Sequence, residues 1–198
     1  LPEKDEREAV ETITELIEYY KGIFTILSSC AARQLEEVTF RRNTIPVQEL
    51  FDAAGKYFRK VTKNRTEKVE LIIEPMEAKV IGDVNQLRFL FENLIDEALA
   101  VREEGVIRLQ ARKDNEYIRF LFTDTRREKS VTELNQLFYP NLARMTSGEK
   151  GELRGTEYLI CKQIIRDHDE FAGRRGCRIN AEPAEGGGFT VYFTIPRR

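Results

Sequence analysis

The sequence predicts an α+β fold: a two-layer α/β sandwich, with a mixed sheet carrying helices on one face, preceded by a long N-terminal helix. Three observations predict it. Apolar residues recur at helical spacing in the first forty or so positions and again around 47–61 and 87–98. Short runs that alternate or are continuously apolar stand at 69–73, 106–111, 117–122 and 189–195. These pieces follow one another as long helix, then α-β-α-β-β-loop-α-β-β, an order that suits helices layered on one sheet.

The first element rests on Ile13, Leu16, Tyr20, Ile23, Leu27 and Cys30, which alternate steps of three and four with no Pro between residues 5 and 42. That is a heptad seam, and it needs a partner helix to cover it. Asn43 to Pro46 ends this helix, because Pro disfavours the helical conformation of the residue before it. A second helix follows, with Val47, Leu50, Phe51, Ala54, Phe58 and Val61 on one face. Lys63 to Thr66 reads as a loop and Val69–Ile73 as a short strand ended by Pro75. Val80-Ile81 reads as a very short strand. Asp83 is placed to cap a third helix running to about Val101, its inward face Leu87, Leu90, Phe91, Leu94, Ile95 and Ala98. Strands over 106–111 and 117–122, a short helical piece over 131–138, a helix over about 155–165 and strands over 177–181 and 189–195 complete the chain. Glu185 to Gly188 forms a tight turn between the last two.

Composition narrows the function. The 198 residues suit one domain plus an appendage or two small domains, and 32 basic against 34 acidic side chains give a net charge of −2. Such a balance makes no case for nucleic acid or an anionic membrane. No apolar stretch approaches the roughly 20 residues that span a bilayer. The polar start without Met reads as that of an excised piece, so membrane attachment is expected only through a region upstream and the location is expected to be cytoplasmic. Cys30, Cys161 and Cys177 lack any Cys-x-x-Cys spacing and read as reduced packing residues. No P-loop, metal-spaced His/Cys set or Ser-His-Asp arrangement is present.

Four phrases carry a resemblance. They are Gly82-Asp83 through Leu87-Arg88 with Asn93-Leu94-Ile95-Asp96-Glu97-Ala98; Thr123-Asp124-Thr125; Leu137-Phe138-x-Pro140; and Gly155 through Ile165 with the closing segments from Gly176 and Gly188. In order and spacing they resemble the ATP-binding domain of sensor histidine kinases, relatives of the gyrase and heat-shock chaperone ATPases. The resemblance covers residues 44–198, and residues 1–43 resemble part of the dimerisation and phosphotransfer hairpin. It implies a nucleotide pocket around Asn93, Glu97, Asp124 and Gly155, a Mg²⁺ position at Glu97, a homodimer through the N-terminal helix, and a response regulator or partner kinase as binding partner.

The departures fall on the phosphate side. The family's metal-holding Asn is Glu97, and its following Lys is Ala100. A carboxylate can ligate Mg²⁺, but beside a triphosphate two like charges about 4 Å apart cost on the order of 4 kcal/mol at an effective dielectric near 20. The first glycine box keeps Asp124, the adenine acceptor, and has Arg126 and Glu128 where glycines stand. The second keeps Gly155 and has Leu153 and Glu157 in place of its outer glycines. Neither replacement suits positive φ or close approach of backbone to ligand, and Glu157 competes with phosphate at a helix start. Arg126, Arg127, Lys129, Arg144, Lys150 and Arg154 form a basic cluster expected to be a solvated loop. His168, the sole histidine, follows the last helix and is expected in a solvated loop, so the chain carries no phosphoacceptor on its N-terminal helix. The expectation is a degenerate, pseudokinase-like signalling module with no cofactor, more a binding partner than an enzyme. The alternatives are a divergent active kinase using Mg-ATP, and a nucleotide sensor without phosphotransfer.

Overall fold

The computed structural model describes residues 5–17, 20–21, 24, 40–139 and 156–198. The chain divides into two compact units: residues 1–39 with 139–156, and Phe40–Phe138 with Glu157–Arg198. In the first, residues 5–17 form helix α1, and residues 20, 21 and 24 are helical too. Its stripe of Val10, Ile13, Leu16, Ile17, Tyr20 and Phe24 is exposed. Ile23, Leu27 and Cys30 of the predicted seam lie outside the described residues. No helix among the described residues is long and apolar enough to cross a membrane.

The second unit starts with a difference. Asn43–Pro46, expected only to break a helix, is strand β1, paired antiparallel with β3 (Lys79–Gly82). Pro46 sits at its end with φ −60° and ψ 131°, where the missing N–H costs no ladder bond. Helix α2 (Val47–Thr62) buries Val47, Leu50, Phe51, Ala54, Gly55 and Phe58. Val61, expected inward, is exposed in the last turn, beyond the reach of the core. Strand β2 is Val69–Ile73. Helix α3 (Val84–Leu99) is capped as expected, since Asp83 Oδ1 accepts from the N–H groups of Asn85 and Gln86 at 3.0 and 3.1 Å.

Strands β4 (Gly105–Asp114) and β5 (Tyr117–Asp124) form a hairpin. The expected helix at 131–138 shortens to α4 (Val131–Asn135), held by a reciprocal Ser130–Glu133 capping box. After α5 (Thr156–Phe171) come β6 (Ile179–Pro183) and β7 (Phe189–Pro196). The five-stranded sheet runs β2-β4-β5-β7-β6, with β2–β4 parallel and the rest antiparallel. This is the mixed sheet with helices on one face that the sequence predicts. Ile107, Leu109, Phe120, Phe122, Val191 and Phe193 all point into the core. Phe120 stacks on Phe193 across β5–β7 at 4.9 Å, and Phe91 and Phe51 from the helices meet Phe120 edge-on at 5.7 and 6.0 Å. Such aromatic pairs contribute about 0.5–1.5 kcal/mol each beyond area burial.

His168 overturns its expectation. Helix α5 runs past Ile165 to Phe171, and His168 lies in it with no exposed surface. The reason is spacing: Cys161, Ile164, Ile165 and His168 share one inward stripe, so the charged residues between them face water. The His168 ring bridges two elements. Nε2 accepts from the Asp83 N–H at 3.1 Å, so the proton sits on Nδ1, which donates to the Ile164 carbonyl at 2.8 Å. Phe40 packs edge-on at 4.8 Å. Gly82 leaves room for the ring, because a Cβ there would lie 2.8 Å from Nε2.

Candidate functional site

Asp124 ends β5 on the core face of the sheet and is 1% exposed. Alternation puts it there, in register with Ile107 on β4 and Phe189 on β7. The chain then turns through Thr125, whose N–H donates to the Val106 carbonyl at 3.1 Å. That turn swings Arg126 back over Asp124. The Arg126 backbone N–H and Nε both donate to Oδ1, at 3.0 and 2.9 Å, and Nη2 donates to Oδ2 at 2.9 Å.

This is a two-pronged ion pair with both side chains 1% exposed. The guanidinium also donates to the Glu103 carbonyl at 3.0 Å and the Ala98 carbonyl at 2.6 Å. Ala98 lies in the last turn of α3, whose carbonyls lack helical partners and carry the negative end of the helix dipole. Arg65 serves the same end through Leu99 and Val101, at 2.7 and 2.5 Å. Arg126 is therefore buried, a correction to the solvated-loop expectation. Its burial follows from finding one carboxylate, one helix-end carbonyl and one loop carbonyl within reach.

Two glycines admit this packing. A Cβ on Gly105 would lie 2.8 Å from Arg126 Cγ. Gly188 has φ +81°, and a Cβ there would lie 2.1 Å from the Asp124 carbonyl oxygen, so β7 starts flush against the end of β5.

Arg127 is placed differently. Its Nε lies 3.5 Å from Asp124 Oδ2, with the side chain 16% exposed. Its guanidinium stands 6.0 Å from the centre of the Phe189 ring, and the Lys129 ammonium stands 5.6 Å from the same ring. Nε and Nη2 are buried and have no hydrogen-bond partner.

Glu97 lies on α3 one turn past Asn93. Burial and the neighbouring Glu157 carboxylate push its carboxyl up to about 7, against the pull of Arg127 and Lys129. Burial and then the Glu97 charge raise the Tyr158 hydroxyl, with Arg127 opposing. Phe138 meets Tyr158 edge-on at 5.7 Å, so the Leu137-Phe138 phrase packs on the start of α5. Asn93 is 5% exposed, and its Nδ2 donates to the Phe89 carbonyl of its own helix at 2.7 Å. Asp96, beside Glu97, accepts from the Tyr57 hydroxyl at 2.7 Å.

Of the residues singled out from sequence, Glu97 and Asp124 thus fall in one cluster with Arg127, Tyr158 and Phe189. Asn93 spends its amide on its own helix. Gly155, Arg144, Lys150 and Arg154 lie outside the described residues. Sequence reasoning missed the Arg126–Asp124 lock, although the Asp-x-Arg spacing after a strand allowed it. It also missed the meeting of Glu97 with Glu157, for which no local signal exists.

The central strand of the sandwich thus ends in a buried aspartate, beside a helix carrying Asn93 and Glu97. Residues 82–198 match the family described as histidine kinase-, DNA gyrase B-, and HSP90-like ATPase, and the chain belongs to that family. No curated protein sequence matches the chain. Among solved structures, a mycobacterial sensor histidine kinase, MprB, aligns with TM-score 0.59 at 18% identity, over 80% of this chain and 99% of that one. The nucleotide-free catalytic domain of histidine kinase ThkA aligns with TM-score 0.62 at 19% identity, over 79% and 96%. ThkA in complex with the response regulator TrrA aligns with TM-score 0.61 at 18% identity, over 95% of this chain and 52% of that one. At such identities the likeness establishes the fold.

Proposed function

We propose that this domain is a histidine-kinase-type signalling module whose nucleotide pocket is closed by its own Arg126, and that it acts through protein contacts. One observation carries the reading: both oxygens of Asp124, the acceptor that the family resemblance assigns to adenine, are taken by the Arg126 guanidinium. A nucleobase would have to displace an ion pair that is buried and also tied to two backbone carbonyls. The phosphate side supports the same reading. Glu97 beside Glu157 sets carboxylate charge where a triphosphate would lie, and like charges repel.

The test is calorimetric titration with Mg-ATP, of the native chain and of Arg126→Gly. No binding tighter than about 100 µM, roughly −5.5 kcal/mol, is expected for the native chain. Tighter binding would sink the closed-pocket reading in favour of a divergent kinase or a nucleotide sensor, which the retained Asp124 at the end of β5 favours. Measurable binding gained only by Arg126→Gly, with circular dichroism showing that variant folded, would identify the arginine as the block.

The partner suggested by the ThkA–TrrA complex is a response regulator. The exposed stripe Val10, Ile13, Leu16, Ile17 of α1 is the side a second copy of the chain would cover. Sedimentation equilibrium at high micromolar concentration is expected to report a dimer, and a monomer there would end the pairing proposal.

A further inference from the structure

We infer that a cleft at the opposite end of the sheet from Asp124 binds a phosphorylated small molecule, its phosphate monoester held between Arg42 and Arg198. The site is separate from the one described above. Asp124 pairs with Phe189 at one end of β5, while Tyr117 pairs with Pro196 at the other, and Arg198 lies two residues beyond.

Alternation builds the floor of the cleft. In the β1–β3 ribbon Ile45 pairs with Val80, and both are buried. The next pair, Thr44 and Ile81, therefore faces the opposite way. Two later segments wall it. Helix α5 stops at Phe171, and Gly173 turns the chain with φ +93°, the left-handed conformation common just past a helix end. After β7 the Arg198 N–H donates to the Lys79 carbonyl at 3.1 Å, which lays that residue against β3. The enclosed cleft measures about 490 Å³, inside the roughly 300–1,000 Å³ of small-molecule sites.

The fold positions both guanidiniums. Arg198 Nη1 donates to the Thr44 hydroxyl at 3.1 Å, which leaves its other N–H groups to a ligand. Arg42 lies against Gly173, where a Cβ would come within 2.7 Å of Nη1. The glycine thus admits the arginine as well as the turn. Both side chains are exposed, so a ligand reaches them directly from water.

Charge selects the ligand. The lining holds two guanidiniums and no carboxylate side chain. Among the described residues neither Arg42 nor Arg198 makes an ion pair. Two like charges on one cleft repel, and a bound dianion relieves that repulsion. A phosphate monoester carries about −1.5 to −2 at neutral pH, a closer match than the single charge of a carboxylate. Each guanidinium can present parallel N–H groups to its oxygens. Ile81 and Ala172 supply apolar surface for the rest of the molecule.

The probes are phenyl phosphate, inorganic phosphate and benzoate, titrated into the native chain at about 0.15 M salt, where charges more than about 8 Å apart are largely screened. The backbone amide resonances of Thr44, Ile81 and Gly173 are followed by nitrogen-proton NMR. Saturable shifts with phenyl phosphate are expected in the millimolar range or below. Benzoate is expected to bind at least tenfold more weakly, with inorganic phosphate between the two. Arg42→Gln and Arg198→Gln are each expected to weaken phenyl phosphate at least fivefold while keeping the native melting temperature, since both side chains are exposed. Arg42→Lys is expected to retain part of the affinity. Shifts that never saturate, or an affinity unchanged in both glutamine variants, would overturn the site. So would benzoate binding as tightly as phenyl phosphate. A phosphoserine peptide that binds more tightly than phenyl phosphate would hand the cleft to a protein partner and overturn the small-molecule assignment. The two readings fail separately, because Arg42→Gln leaves the Arg126–Asp124 pair intact and Arg126→Gly leaves this cleft intact.

Discussion

Asp124→Ala is expected to lower the free energy of unfolding by about 3–5 kcal/mol. The substitution removes a small side chain from the end of a strand, so packing alone predicts far less. The loss is electrostatic. Two guanidinium groups, one 1% and the other 16% exposed, would remain beside an apolar void with no counter-charge. Arg126 would retain only its two carbonyl acceptors, and α3 would be left with a cap that repels Arg127. Urea denaturation followed by circular dichroism reads the change, and a loss under about 1 kcal/mol would mean that the buried pair is not formed in solution. A paired replacement separates charge from shape. Asp124→Leu combined with Arg126→Met is expected to recover most of the stability, because apolar substitutes of similar volume often equal or exceed a buried ion pair.

Acid is expected to weaken the domain through His168, and His168→Ala to cost about 3 kcal/mol at neutral pH from lost packing on Phe40 and an unpaired Asp83 N–H. The sign of the pH effect follows from the hydrogen bonds. Burial lowers the folded-state pKa of His168 below 6.5, although the Ile164 carbonyl, Asp83 and Asp167 pull the other way. The unfolded chain therefore binds the extra proton more readily. The stabilisation is complete above the unfolded value of about 6.5 and declines as pH falls below it. Protonation at Nε2 would also turn an acceptor into a donor facing the Asp83 N–H. Glu97 works in the opposite sense, since its raised pKa makes the folded chain the better proton binder between about 7 and 4.5. The difference between native and His168→Gln isolates the histidine, as Gln can still accept from Asp83 and leaves Glu97 in place. A native-minus-variant stability difference that stays flat from about pH 8 to pH 5 would refute the neutral His168 bridge between Asp83 and Ile164.

Helix periodicity was the most legible feature of the sequence. Val47, Leu50, Phe51, Ala54 and Phe58 alternate steps of three and four because one face must be dry, and the structure buries that face. The Asp83 cap was legible for a similarly local reason. Strand β1 was not, since four residues ending in Pro carry no alternation and gain their partner only through β3. The end of α5 was misjudged because Arg166 to Glu170 is densely charged, and charge density masked the three- and four-residue steps from Cys161 to His168. In the candidate site, Glu97 and Asp124 could be chosen only because the phrases around them resemble those of the family. What they touch could not. Whether Arg126 reaches water or folds back depends on a turn and four side-chain torsions. Glu97 meets Glu157 only after the whole segment between them has returned to the sheet.

The flush contact of Gly188 with Asp124 has a consequence for synthesis. Strand β5 lies between β4, its immediate predecessor, and β7, which follows α5. As the chain leaves the ribosome, the β4–β5 hairpin with its Arg126–Asp124 lock can close early from local sequence. Until β7 arrives, β5 remains an unpaired edge, with Phe120 lacking the Phe193 ring that stacks on it. That interval is when the chain is most open to wrong pairing or aggregation. Slow passage through the codons for β7 would lengthen it, and a bulkier residue at position 188 would prolong it indefinitely.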